Sequence, residues 1–127
     1  MALEKQRRMV DLLLTRSKAG QIDWKTTIDD QTFQVSFRDN TVQIVQLPRQ
    51  DTEFDYRITL INDSGAVIDA FTDLELFNDQ KNLPEVQRRS YYKMMGELFE
   101  IARRTALGSE KVLNSILKEL GDDEIPF

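Results

Sequence analysis

Phe54-Asp55-Tyr56-Arg57-Ile58-Thr59-Leu60-Ile61-Asn62-Asp63-Ser64-Gly65-Ala66-Val67-Ile68-Asp69-Ala70-Phe71 is the stretch that decides the fold. Phe54, Tyr56, Ile58 and Leu60 recur at every second position, the period of a strand with one face turned to a core. Asn62-Asp63-Ser64-Gly65 then reads as a hairpin turn: Asn, Asp and Ser bond to their own local backbone, and Gly65 can take a positive φ. Val67, Ile68, Ala70 and Phe71 form the return strand. A turn this short forces the two strands to run antiparallel.

Upstream the pattern repeats. Phe33, Val35 and Phe37 alternate with Gln34, Ser36 and Arg38, and Asp39-Asn40 signals a turn into Val42, Ile44 and Gln46 or Leu47. Pro48 and the polar run to Asp51 end that strand. Ile22, Trp24 and Thr26 form a shorter first run. The alternation predicts a sheet with one buried and one wet face, and Phe33, Val35, Phe37, Tyr56, Ile58 and Leu60 are expected on the buried one. Asp29-Asp30, between two runs, is an acid pair that suits either a tight turn or a cation, and the turn is the favoured reading.

Helical periods flank the sheet. Residues 2–18 place Leu3, Val10, Leu13 and Leu14 near one face, with Met9 and Leu12 broadening it and Gly20 as the stop. After the sheet, Asp73 is expected to cap a short turn through Phe77, followed by a loop over 78–83. Pro84 suits a helix first turn, and a helix is expected from there to about Ala106, striped by Tyr91, Met94, Met95, Leu98, Ile101 and Ala102. Gly108-Ser109 breaks it, and Val112, Leu113, Ile116, Leu117 and Leu120 stripe a last helix. Strands are segregated from helices along the chain. The expected fold class is therefore α+β: an antiparallel sheet of about four or five strands, an N-terminal helix, and one long or two shorter C-terminal helices on one face of the sheet. Residues 1–120 are expected to form one domain, and residues 121–127 a tail.

The composition excludes several chemistries. The chain has 127 residues, enough for one domain with a real core, and carries net charge −5, which disfavours a nucleic-acid or membrane partner. No His and no Cys are present, which removes the commonest general base, the commonest metal ligand and all thiolate chemistry. Ser17, Ser36, Ser64, Ser90, Ser109 and Ser115 therefore lack an imidazole to activate them. No Gly-x-Ser-x-Gly elbow and no phosphate-cradling glycine loop occurs. An enzyme is not expected, nor a cofactor or a metal. No apolar run reaches the ~20 residues of a membrane span, and no signal peptide is visible, so a cytoplasmic protein is expected. The sequence leaves the oligomeric state open.

Basic residues cluster on the predicted helices: Lys5, Arg7 and Arg8 on the first, Arg88, Arg89, Lys93, Arg103 and Arg104 on the long one. With Tyr91-Tyr92 between them they could stack and neutralise a single strand of nucleic acid. Glu97 and Glu100 lie at ion-pairing spacings, which favours a solvated helix face instead. The aromatic strand residues alternate as core residues do. Arg38, Arg49 and Arg57 are interleaved with Asp51, Glu53 and Asp55, which suits a basic groove poorly.

The remaining feature is Asp122-Asp123-Glu124-Ile125-Pro126-Phe127, preceded by Gly121. Three acids run into a compact apolar tip, with the α-carboxylate of Phe127 read as part of it. Pro126 fixes its own φ and restricts Ile125, so the tip is partly pre-ordered. A protein with a basic rim and an apolar pocket would read these elements together. The segment resembles the acidic tip of bacterial single-stranded DNA-binding proteins, in which acids are followed by Ile-Pro-Phe. The resemblance covers Asp122 to Phe127 alone. It departs from the family at Glu124, where Asp is usual, and in lacking the long Gly/Pro/Gln-rich linker before the tip. It implies docking of Asp122, Asp123, Glu124, Ile125, Pro126 and Phe127 on replication, recombination and repair enzymes. A bacterial or phage-type adaptor is then expected, as recruiter of such an enzyme or competitor of the single-stranded DNA-binding protein. Two other readings remain: a small single-stranded nucleic-acid-binding domain, and a structural or immunity-type partner whose tail is incidental.

Overall fold

The computed structural model describes residues 2–51 and 53–121. Helix α1 (Glu4–Lys18) leads into strands β1 (Lys25–Thr26), β2 (Thr32–Ser36), β3 (Thr41–Pro48), β4 (Phe54–Ile61) and β5 (Val67–Thr72). Helix α2 (Asp73–Asn78), a 3-10 turn (Glu85–Gln87), α3 (Tyr91–Ala106) and α4 (Ser109–Glu119) follow. The sheet is an antiparallel meander in the order β1-β2-β3-β4-β5. The α+β class, the five strands, the N-terminal helix and the two C-terminal helices agree with the periodicities.

Register explains the core. Phe33, Ile44, Ile58 and Phe71 face one another across four strands, and Val35, Val42 and Leu60 form the next row. α1 sends Val10, Leu13 and Leu14 onto that face, and α3 sends Tyr91, Met95, Leu98, Phe99 and Ala102. Each fully buried large side chain contributes roughly 1.5–3 kcal/mol. The opposite face carries Gln34, Gln43 and Thr59 in one row, with Gln43 Nε2 donating to Gln34 Oε1 at 3.0 Å. Thr32 and Val45 are buried there as well, paired with each other in the register.

The β4–β5 turn closes as its residues dictate. Gly65 has φ 84° and donates to the Asn62 carbonyl at 3.0 Å. Asn62 Oδ1 accepts from the backbone of Ser64 and Ala66 at 3.1 and 3.0 Å. Gly20, φ 72°, ends α1: its N–H donates to Ser17 O at 3.1 Å and that of Gln21 to Arg16 O at 2.9 Å, satisfying two end carbonyls.

Several expectations are corrected. Phe37 is half exposed, at 49%. It lies beyond the end of β2, where its N–H bonds Asn40 O at 2.7 Å and the alternation no longer sets its direction. Leu60 is only partly buried, at the open end of the sheet near the register shift between Leu60 and Ile61. The cap of α2 is Thr72, which shares a capping box with Glu75, whereas Asp73 turns inward and accepts from Tyr56 N at 2.9 Å. Pro84 begins only the 3-10 turn, and α3 starts at Tyr91 with Ser90 as its cap. The cause lies outside the helix. The buried Gln80 amide donates to Arg89 O at 3.0 Å and accepts from Arg89 N at 2.8 Å, holding that backbone out of helical pairing. Phe99, absent from the expected stripe, is buried against Phe33 and Tyr56.

Candidate functional site

Asp122, Asp123, Glu124, Ile125, Pro126 and Phe127 lie outside the described residues. The element before them is described. Gly108, φ 66°, turns the chain at the end of α3 and starts α4. Gly121, φ 89°, follows α4 and donates to Lys118 O at 3.1 Å, as a helix stop does. Between them the expected stripe forms but stays uncovered: Val112, Leu113, Ile116, Leu117 and Leu120 are all exposed, and α4 has no buried residue. Its packing is against α3.

Several of the cations named from the sequence are paired. Arg7 Nε reaches Asp79 Oδ2 at 3.1 Å, and the same oxygen accepts from Leu3 N at 2.9 Å, so a residue from beyond α2 caps α1. Arg89, just before α3, pairs with Asp11 at 2.9 Å and Lys18 with Glu97 at 2.8 Å, tying α1 to α3 and to the segment that leads into it. Arg103 pairs with Glu100 one turn before it, and this contact holds the Glu100 carboxyl below its usual range. Arg88 donates to the carbonyls of Leu83 and Lys81 at 3.0 and 2.9 Å. Arg49 is ringed by Asp51, Glu53 and Asp55. Tyr91 is core, and Tyr92 leans half-exposed on Tyr56, ring centres 5.7 Å apart.

Among the cations that make no ion pair with any described residue, Lys5, Arg8 and Arg16 lie together on α1. All three project beside an apolar hollow of about 350 Å³ floored by Met9, Leu12, Leu13, Ile22 and Phe37. A second hollow, about 450 Å³, shares Met9, Leu13 and Phe37 and extends over Leu60, Ile61 and Ile68. Together they make one apolar trough between α1 and the open ends of β3, β4 and β5, with cations along its α1 side. Leu12 and Phe37 expose nearly half their surface, at 47% and 49%. This arrangement went unread in the sequence. Its signal was the breadth of the α1 apolar face, which Leu12 and Met9 carry past what a single contact covers.

A smaller hollow of about 230 Å³ is lined by Arg49, Glu53, Asp73, Leu74, Phe77, Ser90 and Tyr92. Burial pushes the Asp73 carboxyl up, and its bond to Tyr56 N makes it a joint between α2 and β4. Asp29 behaves as a turn residue, its Oδ1 accepting from Gln31 N at 2.8 Å. Among the described residues no group of acids is placed to hold a metal ion, and no helix is long and apolar enough to cross a membrane.

No protein-family model, curated protein or solved structure matches this chain.

Proposed function

We propose that this protein is an interaction module that presents Asp122-Asp123-Glu124-Ile125-Pro126-Phe127 to enzymes of DNA replication, recombination or repair, as recruiter of such an enzyme or competitor of a single-stranded DNA-binding protein. The observation that carries the reading is the segment itself: three successive acids followed by Ile-Pro-Phe. The acids suit a basic rim and slow nothing down at encounter, because long-range attraction acts before contact. Ile125 and Phe127 suit an apolar pocket, and Pro126 lowers the ordering cost of docking.

The test is a titration of an exonuclease or helicase that reads such tips with the wild-type chain and with Phe127→Ala. Burial of a Phe side chain is worth roughly 1.5–3 kcal/mol, so the variant is expected to bind about tenfold to a hundredfold more weakly. Reversing one acid should have a smaller effect, strongest at low salt. Equal affinity of wild type and Phe127→Ala would remove the segment from the interface.

A further inference from the structure

We infer that the trough on α1 receives residues 109–127 of a second copy of this chain, with the apolar stripe of α4 in the trough and Asp122, Asp123 and Glu124 beside Lys5, Arg8 and Arg16. The inference stands whether or not the same segment docks on enzymes of DNA metabolism.

The donor surface is an aliphatic stripe left bare. Val112, Leu113, Ile116 and Leu117 expose 53, 45, 49 and 42% of their surface, and Leu120 exposes 77%. Contiguous apolar area of this kind on a small domain marks a contact surface. The receiving surface is equally bare, an apolar floor with Leu12 and Phe37 half exposed and Ile68 at 63%. A helix seated by residues three and four apart is the geometry such a trough accepts.

Charge selects this occupant. Lys5, Arg8 and Arg16 are without acid partners among the described residues, although the chain as a whole is acidic, at net charge −5. The donor carries three acids directly after its apolar stripe, and the receiver carries three cations directly beside its apolar floor. Among the described residues α4 packs along α3 and nothing covers its stripe; a second copy supplies the covering surface. A two-fold exchange makes the contact twice and leaves neither copy with an uncovered stripe.

The absence of Cys allows a clean test on the full chain. Glu119→Cys, at an exposed position, carries a nitroxide in an unenriched chain, which is mixed with an isotope-labelled wild-type chain. The expected result is broadening of the labelled chain's amides at Leu12, Arg16 and Phe37, together with a rise in sedimenting mass toward a dimer as concentration increases. Leu12→Asp and Leu117→Asp change exposed side chains, so each is expected to keep the native circular dichroism spectrum while weakening self-association at least about tenfold. The two variants mixed should associate better than either alone, because one intact arm and one intact trough remain. Salt should weaken the wild-type complex. A mass that stays monomeric at all concentrations overturns the inference. So does broadening confined to α4 amides, which would mean α4-to-α4 pairing.

Discussion

Asp73 shows how one side chain can serve a fold at an electrostatic cost. Its carboxylate ties β4 to the start of α2 through Tyr56 N, yet it sits 6% exposed with Asp55 nearby. Burial, and then the Asp55 charge, raise its pKa above the usual Asp value. The folded state therefore holds this proton more tightly than the unfolded chain. The resulting contribution to stability is complete below the unfolded pKa, near 4, and is lost as pH rises through the raised folded value. Asp73→Asn keeps an oxygen that can accept from Tyr56 N and abolishes the titration. Urea midpoints for wild type and Asp73→Asn should thus shift in the variant's favour between about pH 3 and pH 7. A difference that does not change with pH would mean that the carboxylate is as well solvated in the fold as outside it. Gln80 serves in the other sense: wholly buried, it satisfies both polar groups of its amide on the Arg89 backbone and so fixes where α3 begins.

At the scale of elements, α3 approaches β4 closely at Gly96. Gly96 is the one glycine inside α3, and a Cβ there would stand 3.3 Å from Tyr56 Cε2 and from Tyr56 Oη. Tyr56 has little room to give, since its ring packs on Tyr92 and Phe99 at 5.7 and 5.8 Å. A helix-interior Gly costs about 1 kcal/mol relative to Ala, so its presence records the close approach. Gly96→Ala should be nearly neutral, propensity offsetting a contact shifted by a few tenths of an ångström. Gly96→Leu should destabilise by about 1–3 kcal/mol through overpacking. Thermal melts of both variants check this, and a Gly96→Leu midpoint equal to that of wild type would show that α3 can lift off β4 freely. The contrast with α4 is plain: α3 and α4 are both amphipathic, but α3 has a sheet to cover and α4 has only the flank of α3.

At the scale of the whole molecule, net charge and its placement govern what the surface can bind. The chain carries −5 overall, and Arg7, Lys18, Arg49, Arg89 and Arg103 are each engaged by nearby acids. Trp24, Phe33 and Tyr56, the aromatics that would stack bases, are in the core. Counterion release over an extended strand therefore has little to act on. Single-stranded DNA should show no sub-micromolar binding by fluorescence anisotropy near 0.15 M salt. Tight binding there would instead make Lys5, Arg8 and Arg16 a nucleic-acid site.

The sequence by itself determined the elements. Period-two alternation laid out the strands from Phe33 to Phe71, Asn62 and Gly65 set the β4–β5 hairpin, and the helical stripes of α1 and α3 named most of the core. Local chemistry decides such features, because backbone sterics and the period of burial act over a few residues. Tertiary structure alone decided what covers each face. It left Phe37 half exposed past the end of β2, gave α1 a cap in Asp79 from 76 positions away, and stopped α3 from reaching back to Pro84 through Gln80. It also left the stripe of α4 and the trough of α1 bare, with three cations beside the trough. A periodic pattern specifies that a face is apolar but carries no information about which distant segment arrives to bury it. That is settled only when the chain closes on itself.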